Sequence, residues 1–142
     1  PWGTYARFWD QKDFWPCQQP PWGQLWAINV NTGDVAWKVP FGIVPELEAK
    51  GIHGTGTVNY GGSIATASGL IFIAATNDQH FRAFDASNGK TLWDTKLETG
   101  AYTTPMTYKG KDGRQYVLIV ATGGSYYDRT SGDSVIAFAL PQ

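Results

Sequence analysis

An eleven-residue phrase occurs twice in this chain, from Ala27 to Trp37 and again from Ala83 to Trp93. Both copies have the pattern Ala-x-Asp/Asn-x-x-x-Gly-x-x-x-Trp, and they lie 56 positions apart. A period longer than the WD40 unit of about 40–45 residues, built from short strands and turns, is typical of one β-propeller blade per repeat. The repeat therefore predicts an all-β chain that forms part of a β-propeller with tryptophan-docking motifs.

Each shared position of the phrase has a physical role. The Asp or Asn side chain can bond the backbone two residues later and so start a turn, and the Gly allows a positive φ. The Trp begins the next strand with a large flat surface, and its indole N–H needs a partner when buried. We interpret Trp37 and Trp93 as packing residues that dock on the neighbouring blade and have no chemical role.

Turn signals divide the chain into strands and blades. We predict an aromatic-rich lead-in at 1–23, the end of one blade at 24–42, a complete blade at 57–100 and a closing blade without its fourth strand at 101–142. Closed propellers need roughly 4–8 blades, so about two and a half blades predict that 1–142 is a fragment of one propeller domain, from the C-terminal part of a longer protein. The predicted strands are 24–30, 35–39, Ser63–Ala67, Leu70–Ala75, Gln79–Asp85, Thr91–Leu97, Tyr102–Tyr108, Tyr116–Thr122 and Ser134–Leu140, with a short helical turn around 45–50.

Composition excludes several other classes of protein. Aromatic residues make up 15% of the chain and charged residues 16%, which argues against disorder. The net charge of −1 predicts no nucleic-acid partner. No apolar run approaches the roughly 18–20 residues that cross a bilayer as a helix. The single cysteine, Cys17, cannot form an internal disulfide, and we interpret it as a small buried hydrophobe.

A series of segments carries a family resemblance along nearly the whole chain. In order, the segments are Pro16–Gly23, Gly61–Ala67, Leu70–Thr76 with Phe81–Phe84, Thr104–Tyr108, and Gly132-Asp133 before Ile136–Pro141. Their order and spacing resemble the C-terminal part of the pyrroloquinoline quinone (PQQ) dependent dehydrogenases, closest to the membrane-type quinoprotein glucose dehydrogenases. One docking phrase is weakly specific, whereas this ordered series is strongly specific.

The resemblance implies an eight-bladed propeller in the periplasm. PQQ would be bound on the propeller axis, with a calcium or magnesium ion beside it. In that family an Asp acts as base on a sugar or alcohol, PQQ accepts the hydride, and a quinone takes the electrons. The base and the metal ligands would lie upstream of this chain, so we name no catalytic and no metal-binding residue here. Asp78, Asp85 and Asp133 are not taken as substitutes, and the chain alone is expected to be inactive.

The resemblance also implies two segments that could reach the cofactor. Asn59-Tyr60-Gly61-Gly62 precedes the first strand of the complete blade, where Tyr60 could offer an aromatic face and Asn59 an amide; a bare tight turn explains this segment equally well. The second segment contains Gly124 and Ser125. The glucose dehydrogenase branch has a His in this loop, which is missing here, and this departure weakens the glucose assignment more than the PQQ assignment.

Other candidate residues have simpler explanations. His53 and His80 have no metal-ligand spacing and are interpreted as surface or turn residues. The Gly54-Thr55-Gly56 segment lacks the strand and helix that a phosphate-binding loop requires. The lead-in aromatics could stack on a sugar, although packing is the safer interpretation: Trp2, Tyr5, Phe8, Trp9, Phe14, Trp15 and Trp22.

Two other functions remain open at this point. A propeller scaffold for protein contacts would need only the docking repeats, and a carbohydrate-binding module would use the aromatic platforms. A partial propeller also leaves unpaired strand edges. We therefore expect the isolated chain to associate with itself or with the remaining blades.

Overall fold

The computed structural model describes residues 8–10, 12–124 and 130–141, and this part of the chain confirms the all-β prediction. Its nine strands are β1 (Gln24–Ile28), β2 (Val35–Pro40), β3 (Ser63–Ala65), β4 (Leu70–Ile73), β5 (His80–Asp85), β6 (Thr91–Lys96), β7 (Met106–Lys109), β8 (Gln115–Gly123) and β9 (Ser131–Phe138). They form three antiparallel sheets in the orders β1-β2, β3-β4-β5-β6 and β7-β8-β9. A four-residue helix, α1 (Pro45–Glu48), follows the first sheet.

The observed strands follow the predicted order and differ from the prediction at some ends. The strand predicted at Tyr102–Tyr108 begins only at Met106, because Pro105 has no N–H to donate to a strand ladder. β9 begins earlier than predicted, since a register shift in β8 lets Gly123 pair with Ser131. Short-range signals thus located the strands, and the pairing partners decided where they end.

The two copies of the repeated phrase have the same local structure. The Asn29 and Asp85 side chains each accept a hydrogen bond from the backbone N–H two residues later, at 3.0 and 2.8 Å. Gly33 and Gly89 have φ values of +80° and +75°. Both copies also have a register shift at the same place, just before the turn. The predicted turn chemistry is therefore confirmed at both positions.

β5 is buried on both faces because a sheet packs against each of them. Phe81 points to the third sheet, where its ring lies 5.6 Å from that of Phe138. Phe84 points to the first sheet, where its ring lies 5.9 Å from that of Phe41. Successive strand residues face opposite sides, so one strand contributes to two hydrophobic cores. Three sheets stacked in this way are the expected arrangement of adjacent propeller blades.

The repeated tryptophans hold neighbouring sheets together. The Trp37 indole N–H donates to the carbonyl oxygen of Ala86 at 2.9 Å, and its ring covers the backbone at Gly89. Trp93 packs edge-to-face on Phe138 of the third sheet, at 5.1 Å between ring centroids. Each Trp contacts the sheet that follows its own, which confirms the docking interpretation.

The outer faces of the first and third sheets display large apolar side chains. Trp26 and Ile28 are 46% and 56% exposed on the first sheet. Met106, Tyr108 and Val135 are 53%, 41% and 64% exposed on the third sheet. Exposed apolar patches of this kind mark contact surfaces. Within the described ranges, no helix is long and apolar enough to cross a membrane.

Candidate functional site

Four loop segments meet at one edge of the sheets, and we call them together the loop edge: 58–62, 74–79, 99–105 and 123–124. The Tyr60 N–H donates to the Ala75 carbonyl at 2.9 Å, and the Ala75 N–H donates to the Ala101 carbonyl at 2.8 Å. The Gly123 N–H donates to the Gly100 carbonyl at 2.9 Å. The structure therefore links the two segments that the sequence analysis selected, through residues 100–101.

Tyr60 forms an aromatic platform at the loop edge. Its ring lies parallel to that of Tyr102, with 4.9 Å between centroids and 16° between planes. The Tyr102 hydroxyl donates to Oδ1 of Asn77 at 3.1 Å, which fixes the second ring of the pair. Tyr60 is 42% exposed. The aromatic role predicted for Tyr60 remains a prediction, and this geometry is compatible with it.

Sequence reasoning missed Tyr102 as the partner of Tyr60, and Asn77 as the residue that holds Tyr102. One signal was available, because Tyr60 and Tyr102 stand at similar places just before the first strands of successive sheets. Asn77 lies in the β4–β5 turn and carries no such signal. Its proximity depends on how the turn packs between two neighbouring loops.

The glycines beside Tyr60 permit a close approach between segments. A Cβ at Gly62 would lie 2.0 Å from Oγ1 of Thr104, and one at Gly61 would lie 3.0 Å from the Tyr102 carbonyl oxygen. These positions therefore have a packing reason to be glycine, and the tight-turn interpretation of 59–62 remains open. The two interpretations are compatible, because a tight turn also places Tyr60 at the surface.

The Asn59 side chain is held by a hydrogen bond to the main chain. Its Nδ2 donates to the Thr57 carbonyl oxygen at 3.1 Å, and the residue is half-buried. Asn59 lines an open cleft of about 440 Å³, and residues of the lead-in form its other wall. Asn59 and Tyr60 are therefore adjacent in sequence and contact different neighbours.

The second predicted segment is described only in part. Gly124 has a φ of +70°, is exposed, and donates its N–H to the Thr130 carbonyl at 2.7 Å. No described atom lies within 4 Å of the position of a Cβ at Gly124. Ser125 lies outside the described residues. A cofactor role for Gly124 or Ser125 stays a prediction.

Asp78 belongs to a buried ion pair at the loop edge. Arg82 donates to its carboxylate from Nη2 at 2.6 Å and from Nη1 at 3.2 Å, Thr76 donates its hydroxyl at 2.6 Å, and the Ile43 N–H donates at 2.8 Å. Burial raises the pKa of Asp78. The hydrogen bonds and positive charge of Arg82 outweigh this effect, together with the hydrogen bonds from Thr76 and the Ile43 backbone, and the pKa is lowered overall. Asp78 is therefore ionised at neutral pH and has a structural role as the buried partner of Arg82.

Three further acidic or basic positions have structural partners. The Asp85 carboxylate accepts hydrogen bonds from residues of its own turn, and these lower its pKa. The hydrogen bond from the Ser87 hydroxyl has the largest effect. His80 lies 2.5 Å from Asp94, and His53 contacts Glu48. His53 is exposed, in agreement with its interpretation as a surface or turn residue, whereas His80 is half-buried at the start of β5.

Some aromatic side chains of the lead-in are packed and others are exposed. Trp15 and Trp22 stack at 6.2 Å between centroids, whereas Phe8 and Phe14 are 77% and 64% exposed. Trp2 and Tyr5 lie outside the described residues. The interpretation of Cys17 as buried is wrong, because it is exposed. It lies on a surface stretch of the lead-in where the next three residues, 18–20, are exposed as well.

Comparison with known proteins identifies the class. A family model described as the PQQ glucose/ethanol/alcohol dehydrogenase, beta-propeller domain, matches residues 1–117. The chain belongs to this family, and the predicted propeller fold and PQQ resemblance are confirmed.

The relatives include both quinate and glucose enzymes. The chain is 45% identical over 131 residues to the quinate/shikimate dehydrogenase (quinone) of Acinetobacter baylyi, with 88% of this chain and 16% of the relative covered. It is 40% identical over 130 residues to quinoprotein glucose dehydrogenase A of Acinetobacter calcoaceticus, with 89% and 16% covered. The chain thus spans about one sixth of the length of these curated relatives.

A solved structure gives the same assignment. Quinohemoprotein alcohol dehydrogenase from Comamonas testosteroni superposes with a TM-score of 0.60 and 27% identity, covering 82% of this chain and 16% of that one.

The loop edge fits part of the PQQ molecule. PQQ is a planar conjugated quinone with carboxylate groups, and the exposed Tyr60 ring suits its planar part. The segments of the loop edge contain no Lys or Arg that could pair with its carboxylates. Among the described residues, no three His, Cys, Asp or Glu side chains converge on a metal position. The described residues of this edge thus offer an aromatic face that is compatible with a planar ring, and they do not fit the metal.

Proposed function

We propose that this chain is the C-terminal portion of a PQQ-dependent dehydrogenase that oxidises a sugar or an alcohol and passes the electrons to a quinone. The observation that carries the proposal is the identity of 45% and 40% to quinate/shikimate and glucose enzymes over nearly the whole chain. We place the enzyme in the periplasm, attached to the inner membrane, and we propose no nucleic-acid partner.

In this proposal the residues of this chain help to bind and orient PQQ. When bound, PQQ supplies the hydride acceptor, and the protein supplies position and electrostatics. Tyr60, held parallel to Tyr102, provides a rigid flat surface for the ring system. Gly124 and Ser125 would approach from the neighbouring loop. The base, the calcium or magnesium ligands and the cations for the carboxylates are assigned to other blades of an eight-bladed ring.

Replacing Tyr60 by Leu in the complete enzyme is expected to weaken PQQ binding. Aromatic stacking contributes about 0.5–1.5 kcal/mol beyond buried area, so the dissociation constant should rise roughly two- to tenfold. Tyr60→Phe keeps the ring and should bind PQQ nearly as the wild type does. The measurement is a titration of the PQQ-free enzyme with PQQ, followed by absorbance.

Tyr108→Leu is the matched control for this experiment. Tyr108 is 41% exposed and stacks on Tyr116 at 5.3 Å and 13°, but it lies on the strand that leads away from the loop edge. Equal loss of PQQ affinity in both Leu variants would remove Tyr60 from the site. If the wild type binds no PQQ and oxidises no polyol, the enzyme proposal fails and the scaffold alternative is favoured.

We also propose that further blades cover the outer faces of the first and third sheets. The isolated 142-residue chain should then self-associate, because its apolar outer faces and strand edges would be exposed. Light scattering should report species larger than one chain. The double variant Met106→Lys/Val135→Lys should reduce this association; a monodisperse monomer of the unmodified chain would contradict the proposal.

A further inference from the structure

The cleft beside Asn59 is a second feature of the loop edge, distinct from the Tyr60 platform. Its walls come from the lead-in and from the segment before β3, and its volume is about 440 Å³. This volume lies within the range of about 300–1,000 Å³ that is usual for small-molecule sites. The residues that carry the argument are Trp9, Pro16, Gln18, Trp22, Val58 and Asn59.

The Trp22 ring is held in place before any ligand arrives. Its indole N–H donates to the Gln18 carbonyl oxygen at 2.7 Å, and its backbone N–H donates to the Thr55 carbonyl at 2.7 Å. Trp15 stacks on it at 6.2 Å. An aromatic wall fixed by three contacts loses little entropy on binding, which favours a ligand with a flat apolar face.

The polar groups of the cleft select for a hydrogen-bond donor. Asn59 uses its Nδ2 to donate to Thr57, so its Oδ1 remains as an acceptor, and the described part of the chain offers that oxygen no hydrogen bond. The exposed Gln18 side chain likewise has no hydrogen bond to the described residues. A hydroxyl group can donate to Asn59 Oδ1, whereas the carbonyl oxygens of an oxidised quinone cannot.

The described lining of the cleft favours a neutral ligand. Its residues are apolar, aromatic or amide, and none of the lining residues that the structure describes is charged. Burial of a carboxylate without a cation is costly, so PQQ itself is a poor occupant. Aromatic walls with amide groups at the rim match a ring that has C–H bonds on its faces and hydroxyls on its edge.

From these observations we propose that the cleft is a subsite for the ring of a neutral cyclic polyol. Asn59 precedes Tyr60 in the chain, so the cleft and the proposed cofactor face share the segment 58–62. The ring packs against Trp22, a hydroxyl donates to Asn59 Oδ1, and Gln18 bonds a second hydroxyl. This inference rests on the proposed function and narrows its substrate to cyclic polyols over open-chain ones.

The test uses the complete enzyme with glucose as the cyclic probe and glycerol as the open-chain probe. Trp22→Leu should raise the KM for glucose roughly two- to tenfold, the size expected for loss of one aromatic contact. The kcat for glucose, the KM for glycerol and the PQQ dissociation constant should change less than twofold. Trp22→Phe, which keeps an aromatic face and the packing, should give an intermediate KM.

Phe14→Leu is the matched control, because Phe14 is an exposed aromatic of the same lead-in that does not line the cleft. Calorimetric titration of the PQQ-free enzyme with glucose supplies a readout independent of turnover. Glucose binding that weakens in Trp22→Leu and not in Phe14→Leu supports the subsite. Absence of glucose binding, or equal changes for glucose and glycerol, overturns it.

Two further outcomes separate this inference from the proposed function. A change only in the KM for a short-chain ubiquinone would assign the cleft to the electron acceptor, which overturns the polyol subsite and leaves the dehydrogenase proposal intact. If the wild type binds glucose but neither binds PQQ nor turns over, the subsite is supported and the dehydrogenase proposal fails.

Discussion

Replacing Asp78 by Asn should destabilise the protein by about 3–5 kcal/mol, the usual cost of removing one partner of a buried ion pair. The Asp78 side chain is fully buried and that of Arg82 is 7% exposed. The substitution keeps the shape of the side chain and leaves the Arg82 guanidinium without its buried counter-charge. Urea unfolding of the complete protein, followed by tryptophan fluorescence, measures the loss.

Asp94→Asn is the control, since Asp94 contacts the same guanidinium at a different nitrogen. Its carboxylate lies 2.8 Å from Arg82 Nε, but the side chain is 38% exposed. Because water partly solvates the Asp94 carboxylate, this variant should lose less stability than Asp78→Asn. Equal effects of the two substitutions would contradict the assignment of a buried ion pair.

The pH dependence of stability provides a second signature of Asp78. Its native pKa is lowered overall, whereas an unfolded Asp titrates near a pKa of about 3.9. The ionised carboxylate therefore contributes its full stabilisation above about pH 4, and this is lost as the pH falls through the lowered native pKa. Asp78→Asn should flatten that part of the acid-unfolding curve, and an unchanged slope would contradict the prediction.

Replacing Gly89 by Ala is expected to cost about 3 kcal/mol, because two penalties add there. Gly89 has a φ of +75°, and a Cβ would lie 2.6 Å from Cε3 of the docked Trp37. The Trp37 ring would have to move, and its hydrogen bond to Ala86 would weaken. Thermal and urea unfolding of the complete protein measure the effect.

Gly33 is the matched control, because it has the same place in the other copy of the repeated phrase. Its φ is +80°, and no described atom lies within 4 Å of its Cβ position. Gly33→Ala should therefore cost about 1 kcal/mol, from the backbone conformation alone. The difference between the two variants isolates the docking contact, and a difference near zero would disprove it.

The sequence predicted the blade-like strands and their turns well, because each depends on a few neighbouring residues. The alternation of β5 and the Asp85-to-Gly89 turn are examples, as their hydrogen bonds lie within the phrase itself. The candidate site was predicted less completely. Asn59 and Tyr60 were selected by resemblance, whereas their neighbours Tyr102, Asn77 and Trp22 were not assigned to the site.

The sequence by itself therefore determined the all-β class, the blade repeat, the docking tryptophans and the family. Only the tertiary structure decided that Tyr60 stacks on Tyr102 and that Asp78 forms a buried ion pair with Arg82. It also decided that Asn59 faces the lead-in. The physical reason is the distance along the chain over which each kind of interaction acts. Strand alternation and turn chemistry act over a few residues, whereas contacts between loops depend on how whole sheets twist and pack.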